Sequence, residues 1–235
     1  MHLSCLLRRK KTLKVLLDHL DKQPEEKKFT CINKRTSDSQ TLLHLAARRV
    51  CFCILGILLD SGAHVNAQAD GGRTALQILV STKRKRSPDL RQAIRLLLVH
   101  GASLQACTSG RTPLHVAARN LENVATFLSE LLTCANKREI AAAINIQDFR
   151  GRTALHYASE RGDTRSMSML FENGAQETVA NQGGITPAIL CLWGLEKRKS
   201  RTQVRHATQS WLRRYCYNEG AFVRGSIQDT RLPQS

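Results

Sequence analysis

The sequence predicts an all-α solenoid, a row of antiparallel helix pairs joined by hairpin turns, and three observations predict it. First, one segment recurs: Thr41-Leu42-Leu43-His44-Leu45-Ala46-Ala47, then Thr112-Pro113-Leu114-His115-Val116-Ala117-Ala118, then Thr153-Ala154-Leu155-His156-Tyr157-Ala158-Ser159. Weaker copies open at Thr74-Ala75-Leu76-Gln77-Ile78 and Thr186-Pro187-Ala188-Ile189-Leu190, and the five threonines are 33, 38, 41 and 33 residues apart. Second, Leu58-Leu59-Asp60-Ser61-Gly62-Ala63, Leu97-Leu98-Val99-His100-Gly101-Ala102 and Leu170-Phe171-Glu172-Asn173-Gly174-Ala175 trail the copies. Third, aromatic residues are only 5% of a chain that is 42% hydrophobic, which favours thin aliphatic layers over a deep aromatic core.

Each element follows from its residues. Thr before an apolar run opens a short inner helix, with Pro113 or Pro187 at a position where the missing N–H does no harm. The paired apolar residues belong to a longer outer helix, and Gly follows where the chain leaves it with positive φ. Turn-rich segments, Asp70-Gly71-Gly72 and Asp148-Phe149-Arg150-Gly151, then reverse the chain. These units resemble the ankyrin repeat, whose pattern runs D-x-x-G-x-T-P-L-H-x-A-A and later L-L-L-x-x-G-A. The resemblance covers roughly residues 1 to 215. It implies a scaffold that binds another macromolecule through hairpin tips and inner helices, in which the motif Thr and His hydrogen-bond locally to fix the turn.

The array divides into a partial N-terminal repeat at 1–36, repeats at 37–69, 70–107, 108–148 and 149–181, and a C-terminal capping repeat at 182–215. In this register Met1 falls inside an inner helix, so the first repeat is either a shortened cap or part of a longer product, with truncation slightly favoured. About nine extra residues lie around Pro24-Glu25-Glu26-Lys27-Lys28, and the fourth repeat extends its exit from Cys134 to Ala143. Val204, Ala207, Thr208, Trp211, Leu212 and Tyr215 make a one-faced closing helix, whose other side carries Arg201, Arg205, Arg213 and Arg214. Residues 216–235 lack periodicity and are expected to be a flexible tail.

Charge narrows the function. Lys and Arg number 36 against 19 Asp and Glu, a formal charge of +17. Such a field draws acidic partners, nucleic acid or anionic membrane. The eight cysteines form no CxxC pair and match no zinc spacing. Those in apolar runs, such as Cys51 and Cys53, read as small buried hydrophobes, which implies a reducing compartment. No signal peptide and no apolar run of about 18 residues are evident, so the expectation is an intracellular protein, cytoplasmic or nuclear, without membrane insertion and monomeric.

No catalytic residue, cofactor or metal is expected. His44, His115 and His156 lie on different repeats, roughly 10–20 Å apart at ordinary helix spacing. No metal site or triad bridges such gaps, and there is no phosphate loop, GxSxG or HExxH. Carboxylates are sparse, and none is expected to pair across the concave face. The chain therefore reads as a non-enzymatic adaptor for an acidic partner segment, with the alternative of a basic nucleic-acid-associated protein. Against that alternative, no basic stripe interleaved with aromatics is present.

The resemblance places partner contacts at the tip residue before Thr and at the two residues after the inner-helix Ala-Ala. By position these are Arg73, Arg111 and Arg152 at the tips, and Arg48, Arg49, Arg119, Arg161 and Trp193 on the inner helices. Phe149 joins them as an apolar anchor at a tip. Arg suits such a ladder because its fork grips carboxylates and stacks on aromatic rings. Lys83-Arg84-Lys85-Arg86 is a candidate nuclear-import signal, with Ser87-Pro88 behind it as a phosphorylation site that would weaken carrier binding. A nuclear role, as in ankyrin regulators of transcription factors, is an expectation from the resemblance alone.

Overall fold

The computed structural model describes residues 24–82, 88–120 and 124–191, with isolated positions before residue 24. Most of the partial first repeat, the Lys83–Arg86 insert, Trp193, the closing helix and the tail lie outside the described residues. Every regular element among the described residues is helical.

Four inner helices, α2 (Leu42–Arg49), α4 (Ala75–Val80), α6 (Pro113–Arg119) and α9 (Ala154–Arg161), alternate with four outer ones. The outer helices are α3 (Phe52–Asp60), α5 (Pro88–Val99), α7 (Val124–Cys134) and α10 (Thr164–Glu172). Inner packs on inner in the order α2, α4, α6, α9, and outer on outer in the order α3, α5, α7, α10. Each inner helix also packs on the outer helix that follows it. The core is thus one continuous aliphatic sheet of side chains between the two rows, from Ile32 to Cys191. No repeat could bury its apolar face alone; neighbours supply the other wall.

Two further helices fill the long exits. α1 (Glu25–Ile32) and α8 (Lys137–Ala143) both begin 16 residues before a motif threonine, Thr41 and Thr153. The extra residues of repeats one and four are therefore helical turns with buried Ile32, Ile140 and Ala143. Asn136 caps α8, its side chain accepting from the Arg138 N–H at 2.9 Å.

The hairpins form a second stack. Gly110 N–H reaches the Cys107 carbonyl at 2.9 Å, and Gly151 N–H the Asp148 carbonyl at 2.8 Å. Each tip then donates to the previous one: Thr108 to Gly71, Phe149 to Ser109 and Gln182 to Arg150, all at 3.2 Å. Gly151 has φ +71°, and a Cβ there would sit 2.7 Å from the Gln182 nitrogen, so both backbone angle and close approach demand glycine. The first hairpin carries Ser39 at that place, with φ +53°. Its tip is joined less closely, Asp70 N–H lying 3.5 Å from the Asp38 carbonyl.

Cysteines depart from the expectation. Cys51 and Cys191 are buried, but Cys31, Cys53 and Cys134 are exposed, because Cys53 lies on the outward side of α3 and Cys134 ends α7.

Candidate protein-binding face

The motif threonine and histidine build the frame from which the face projects. Thr112 N–H donates to His115 Nδ1 at 3.1 Å, which forces Nδ1 to be the unprotonated nitrogen. The proton is therefore on Nε2, which donates to the Arg152 carbonyl of the next repeat at 2.9 Å. His44 does the same to Arg73 at 3.1 Å, and His156 to Ile185 at 3.0 Å. Gln77 replaces the ring in the weak copy. Its Oε1 accepts from Thr74 N–H at 3.2 Å and its Nε2 donates to the Arg111 carbonyl at 2.9 Å. Burial pushes all three histidines below their ordinary pKa, against the pull of the carbonyls they bond.

This frame sets two columns of side chains facing each other along the array. One column is the residue before each threonine; the other is the residue seven beyond it. Two side-chain bonds show that they meet. Arg48 Nη2 donates to Gln40 Oε1 at 2.7 Å, and Arg152 Nη1 to Glu160 Oε2 at 2.9 Å. The same register sets Arg73 opposite Ser81 and Arg111 opposite Arg119. Arg48, Arg49, Arg73 and Arg119 are exposed, and their position at inner-helix ends or tips keeps the charged heads in water. Basic side chains at helix C-termini also oppose the partial negative charge there.

Two of the arginines in these columns meet a carboxylate. Glu160 neutralises Arg152. Arg111 leans away from Arg119 toward the hairpin of repeat five, its Nε 3.7 Å from buried Asp148 Oδ2. Arg161 donates to the Arg119 and Asn120 carbonyls and so closes the end of α6. The arginines read as equivalent in the sequence are therefore of two kinds, those held internally and those facing outward.

Asp148 organises the tip between repeats four and five. Its Oδ1 accepts from the Arg150 and Arg152 N–H groups at 2.9 and 3.0 Å, and its Oδ2 from the Tyr157 hydroxyl at 2.6 Å. Burial works to raise its pKa, but these donors outweigh it and hold the carboxyl below its ordinary range. Burial and the neighbouring carboxylate push Tyr157 upward. Phe149, 52% exposed, stands on this turn, with the guanidinium groups of Arg111 and Arg150 over its ring at 5.4 and 5.3 Å. Arg152 lies over the Tyr157 ring at 5.6 Å. Arg150 was not singled out by the sequence; its signal is adjacency to an aromatic residue in a tip. In the preceding hairpin Cys107 occupies the position of Asp148. Burial raises its thiol pKa, but the Ser109 hydroxyl and the Ser109 and Arg111 N–H groups bring it below the ordinary value.

The outer loops hold a feature the sequence reading missed. Asn33, Asn66 and Asn145 each sit eight residues before a motif threonine. Asn66 Nδ2 donates to the Gly101 carbonyl and its Oδ1 accepts from Ser103 N–H, both at 2.8 Å. Asn33 and Asn145 clamp Gly62 and Gly174 in the same way. On the outer helices, Glu130 of α7 is buried and receives the Arg95 fork of α5, with Nη2 at 3.3 Å. Among the described residues, no group of three or more His, Cys, Asp or Glu is placed to hold a metal ion, and no helix is long and apolar enough to cross a membrane.

Comparison with known proteins agrees with this construction. The model of three-copy ankyrin repeats matches residues 43–139, and that of the single ankyrin repeat matches 150–182. The chain belongs to the ankyrin-repeat family. It is 33% identical over 158 residues to B-cell lymphoma 3 protein homolog of Mus musculus, covering 64% of this chain and 32% of that protein. It is 32% identical over 160 residues to mouse neurogenic locus notch homolog protein 1, covering 67% of this chain and 6% of that protein. The chain thus spans about a third or less of these relatives' length. A solved structure of a Bdellovibrio bacteriovorus predatory endopeptidase in complex with an immunity protein contains a chain of the same fold. Its TM-score is 0.65 at 22% identity, over 89% of this chain and 96% of that one. Ankyrin repeats generally mediate protein–protein interaction and are typically non-enzymatic scaffolds.

Proposed function

We propose that this chain is a protein-interaction adaptor that docks an acidic segment of its partner along the hairpin tips and inner-helix ends. The observation that carries the reading is the pair of facing columns, where Arg48, Arg73 and Arg119 are exposed and lack a carboxylate opposite them. Arg49, next to Arg48, adds to the same side, and Phe149 adds an apolar anchor at its far end. An arginine-rich face on a rigid scaffold raises encounter rates with acidic segments and selects against basic ones. The formal charge of +17 also supports nonspecific nucleic-acid association, which is separable by its salt dependence.

Cross-linking capture of the partner from cells tests the reading. Arg48→Glu with Arg119→Glu should abolish capture, while Arg165→Glu on the outer helix α10 should leave it intact. Equal capture by all three proteins would reject the face. These positions are better than Arg111 and Arg152, whose reversal also breaks internal ion pairs. The Lys83–Arg86 import reading stands on sequence alone. Replacing those four residues with Ala should shift the protein from nucleus to cytoplasm, and unchanged nuclear accumulation would reject it.

A further inference from the structure

Resting on that reading, we infer that the acidic ligand has a defined end: it runs over repeats two to four and stops at repeat five, where Glu160 terminates the charge path and Phe149 takes one bulky apolar side chain.

The columns carry the argument. In repeat two the facing pair is Gln40 and Arg48, in repeat three Arg73 and Ser81, in repeat four Arg111 and Arg119, and in repeat five Arg152 and Glu160. Each of the first three pairs has surplus positive charge. The fourth has none, because the Arg152 guanidinium is bonded to Glu160 at 2.9 Å and lies over Tyr157. A carboxylate arriving at repeat five would meet Glu160 and an already occupied guanidinium. Like charges at that distance oppose binding rather than merely failing to help it.

Where the charge path stops, the surface becomes apolar. Phe149 stands on the tip just before Arg152 and is the most exposed aromatic ring among the described residues. Arg111 and Arg150 hold their guanidinium groups over it, and Asp148 fixes the turn beneath through two N–H donors and the Tyr157 hydroxyl. The ring is therefore held in place before any partner arrives. An aromatic or large aliphatic side chain placed on it gains apolar burial, and its own ring can share the arginine cations.

The spacing sets the ligand's pattern. Neighbouring repeats are about 10 Å apart, and a chain in the extended polyproline II conformation advances about 3.1 Å per residue with three residues per turn, so every third side chain returns to the same face about one repeat further on. The ligand is thus an extended peptide with Asp or Glu at every third residue over three repeats, followed about three residues later by a bulky apolar side chain.

The probes are two labelled 12-residue peptides with Glu at every third position and one Trp, placed at either end because chain direction is open. Binding is followed by fluorescence anisotropy in low and physiological salt. For the tighter peptide, Arg48→Glu with Arg119→Glu should weaken binding about tenfold and flatten the salt dependence. Glu160→Gln should strengthen it about threefold and steepen the salt dependence, since Arg152 is released to the ligand. Phe149→Ala should weaken the Trp peptide about tenfold but change its Trp→Ala counterpart less than twofold.

If the double arginine variant weakens binding but Glu160→Gln and Phe149→Ala do not behave as stated, the defined end is wrong and the docking face survives. If the double arginine variant binds as the parent does, the face itself is wrong. A single-stranded oligonucleotide of equal charge that binds more tightly than either peptide overturns the peptide assignment.

Discussion

His115 donates its Nε2 proton to the carbonyl of Arg152 at 2.9 Å, so a ring in the fourth repeat holds the hairpin of the fifth. Its other nitrogen accepts the Thr112 N–H, and Thr112 and His115 are both fully buried. The bond needs the neutral ring. Protonation of Nδ1 would set two donors against each other and leave the Thr112 N–H unpaired.

Stability should therefore fall with acid in a window set by the histidines. Burial depresses their folded pKa, while the unfolded ring titrates near pH 6.5. Below about 6.5 the unfolded chain binds protons that the folded chain refuses, so stability drops by up to about 1.4 kcal/mol per pH unit per histidine. The drop ends below the folded values. Asp148, depressed in the folded state, acts in a lower window, its contribution being lost only as pH falls below the ordinary carboxylate range. Urea denaturation at pH 7.5 and 5.5 measures the first window. The triple variant His44→Gln, His115→Gln and His156→Gln should show a smaller difference between the two pH values, and an unchanged difference would refute the assignment.

Gln77 shows that an amide can make both bonds of the ring, and this separates hydrogen bonding from shape. His115→Gln should cost no more than about 1 kcal/mol at pH 7.5. His115→Ala should cost about 3 kcal/mol, because it strands a buried N–H and a carbonyl and leaves a cavity. Comparable losses for both would mean that ring packing, not the bonds, holds the hairpin.

The glycine two residues before each motif threonine offers a matched pair of tests. Ser39 occupies that place with φ +53°, a conformation that disfavours a side chain by about 1 kcal/mol. Ser39→Gly should raise the unfolding midpoint, by an amount equal to about 0.5–1 kcal/mol. Gly151→Ala should lower stability by at least about 2 kcal/mol, since its Cβ meets the Gln182 nitrogen at 2.7 Å as well as the φ penalty. Thermal unfolding of the two variants decides it, and shifts of the same sign would contradict the hairpin geometry.

Most of the fold was legible because its determinants are local and repeated. Thr with His three residues on announces three of the inner helices, with Gln77 in place of His in the fourth, and Gly announces every tip after the first, where Ser39 stands, so one repeat read correctly gives the others. The extra residues of repeats one and four were harder. Glu25–Ile32 and Lys137–Ala143 match no consensus, and their helical state depends on burying Ile32 and Ile140 against the array. The asparagines at 33, 66 and 145 carried a visible signal, a fixed distance from Thr, that comes out only when all repeats are aligned on it. The candidate face was legible as positions but not as charges. Arg73, Arg111 and Arg152 look alike in sequence, yet a partner one repeat away takes Arg111 and a partner across the inner helix takes Arg152. Only the folded chain distinguishes them from Arg73.

The outer row supplies the last test. Glu130 is buried and accepts both ends of the Arg95 fork from the neighbouring repeat, with the Arg91 guanidinium at 4.0 Å and the Cys134 thiol at 3.7 Å. A buried carboxylate without its partner is worse than no carboxylate, because its desolvation is no longer offset. Arg95→Ala should therefore lower stability, and Arg91→Ala by much less, its charge being farther from the acid. Adding Glu130→Leu to Arg95→Ala should recover much of the loss by replacing the stranded charge with apolar packing against α5. Equilibrium denaturation of the single and double variants measures the coupling. Simple additivity of the two substitutions would mean that Glu130 and Arg95 share no energy, and that the outer helices are joined by aliphatic contact alone.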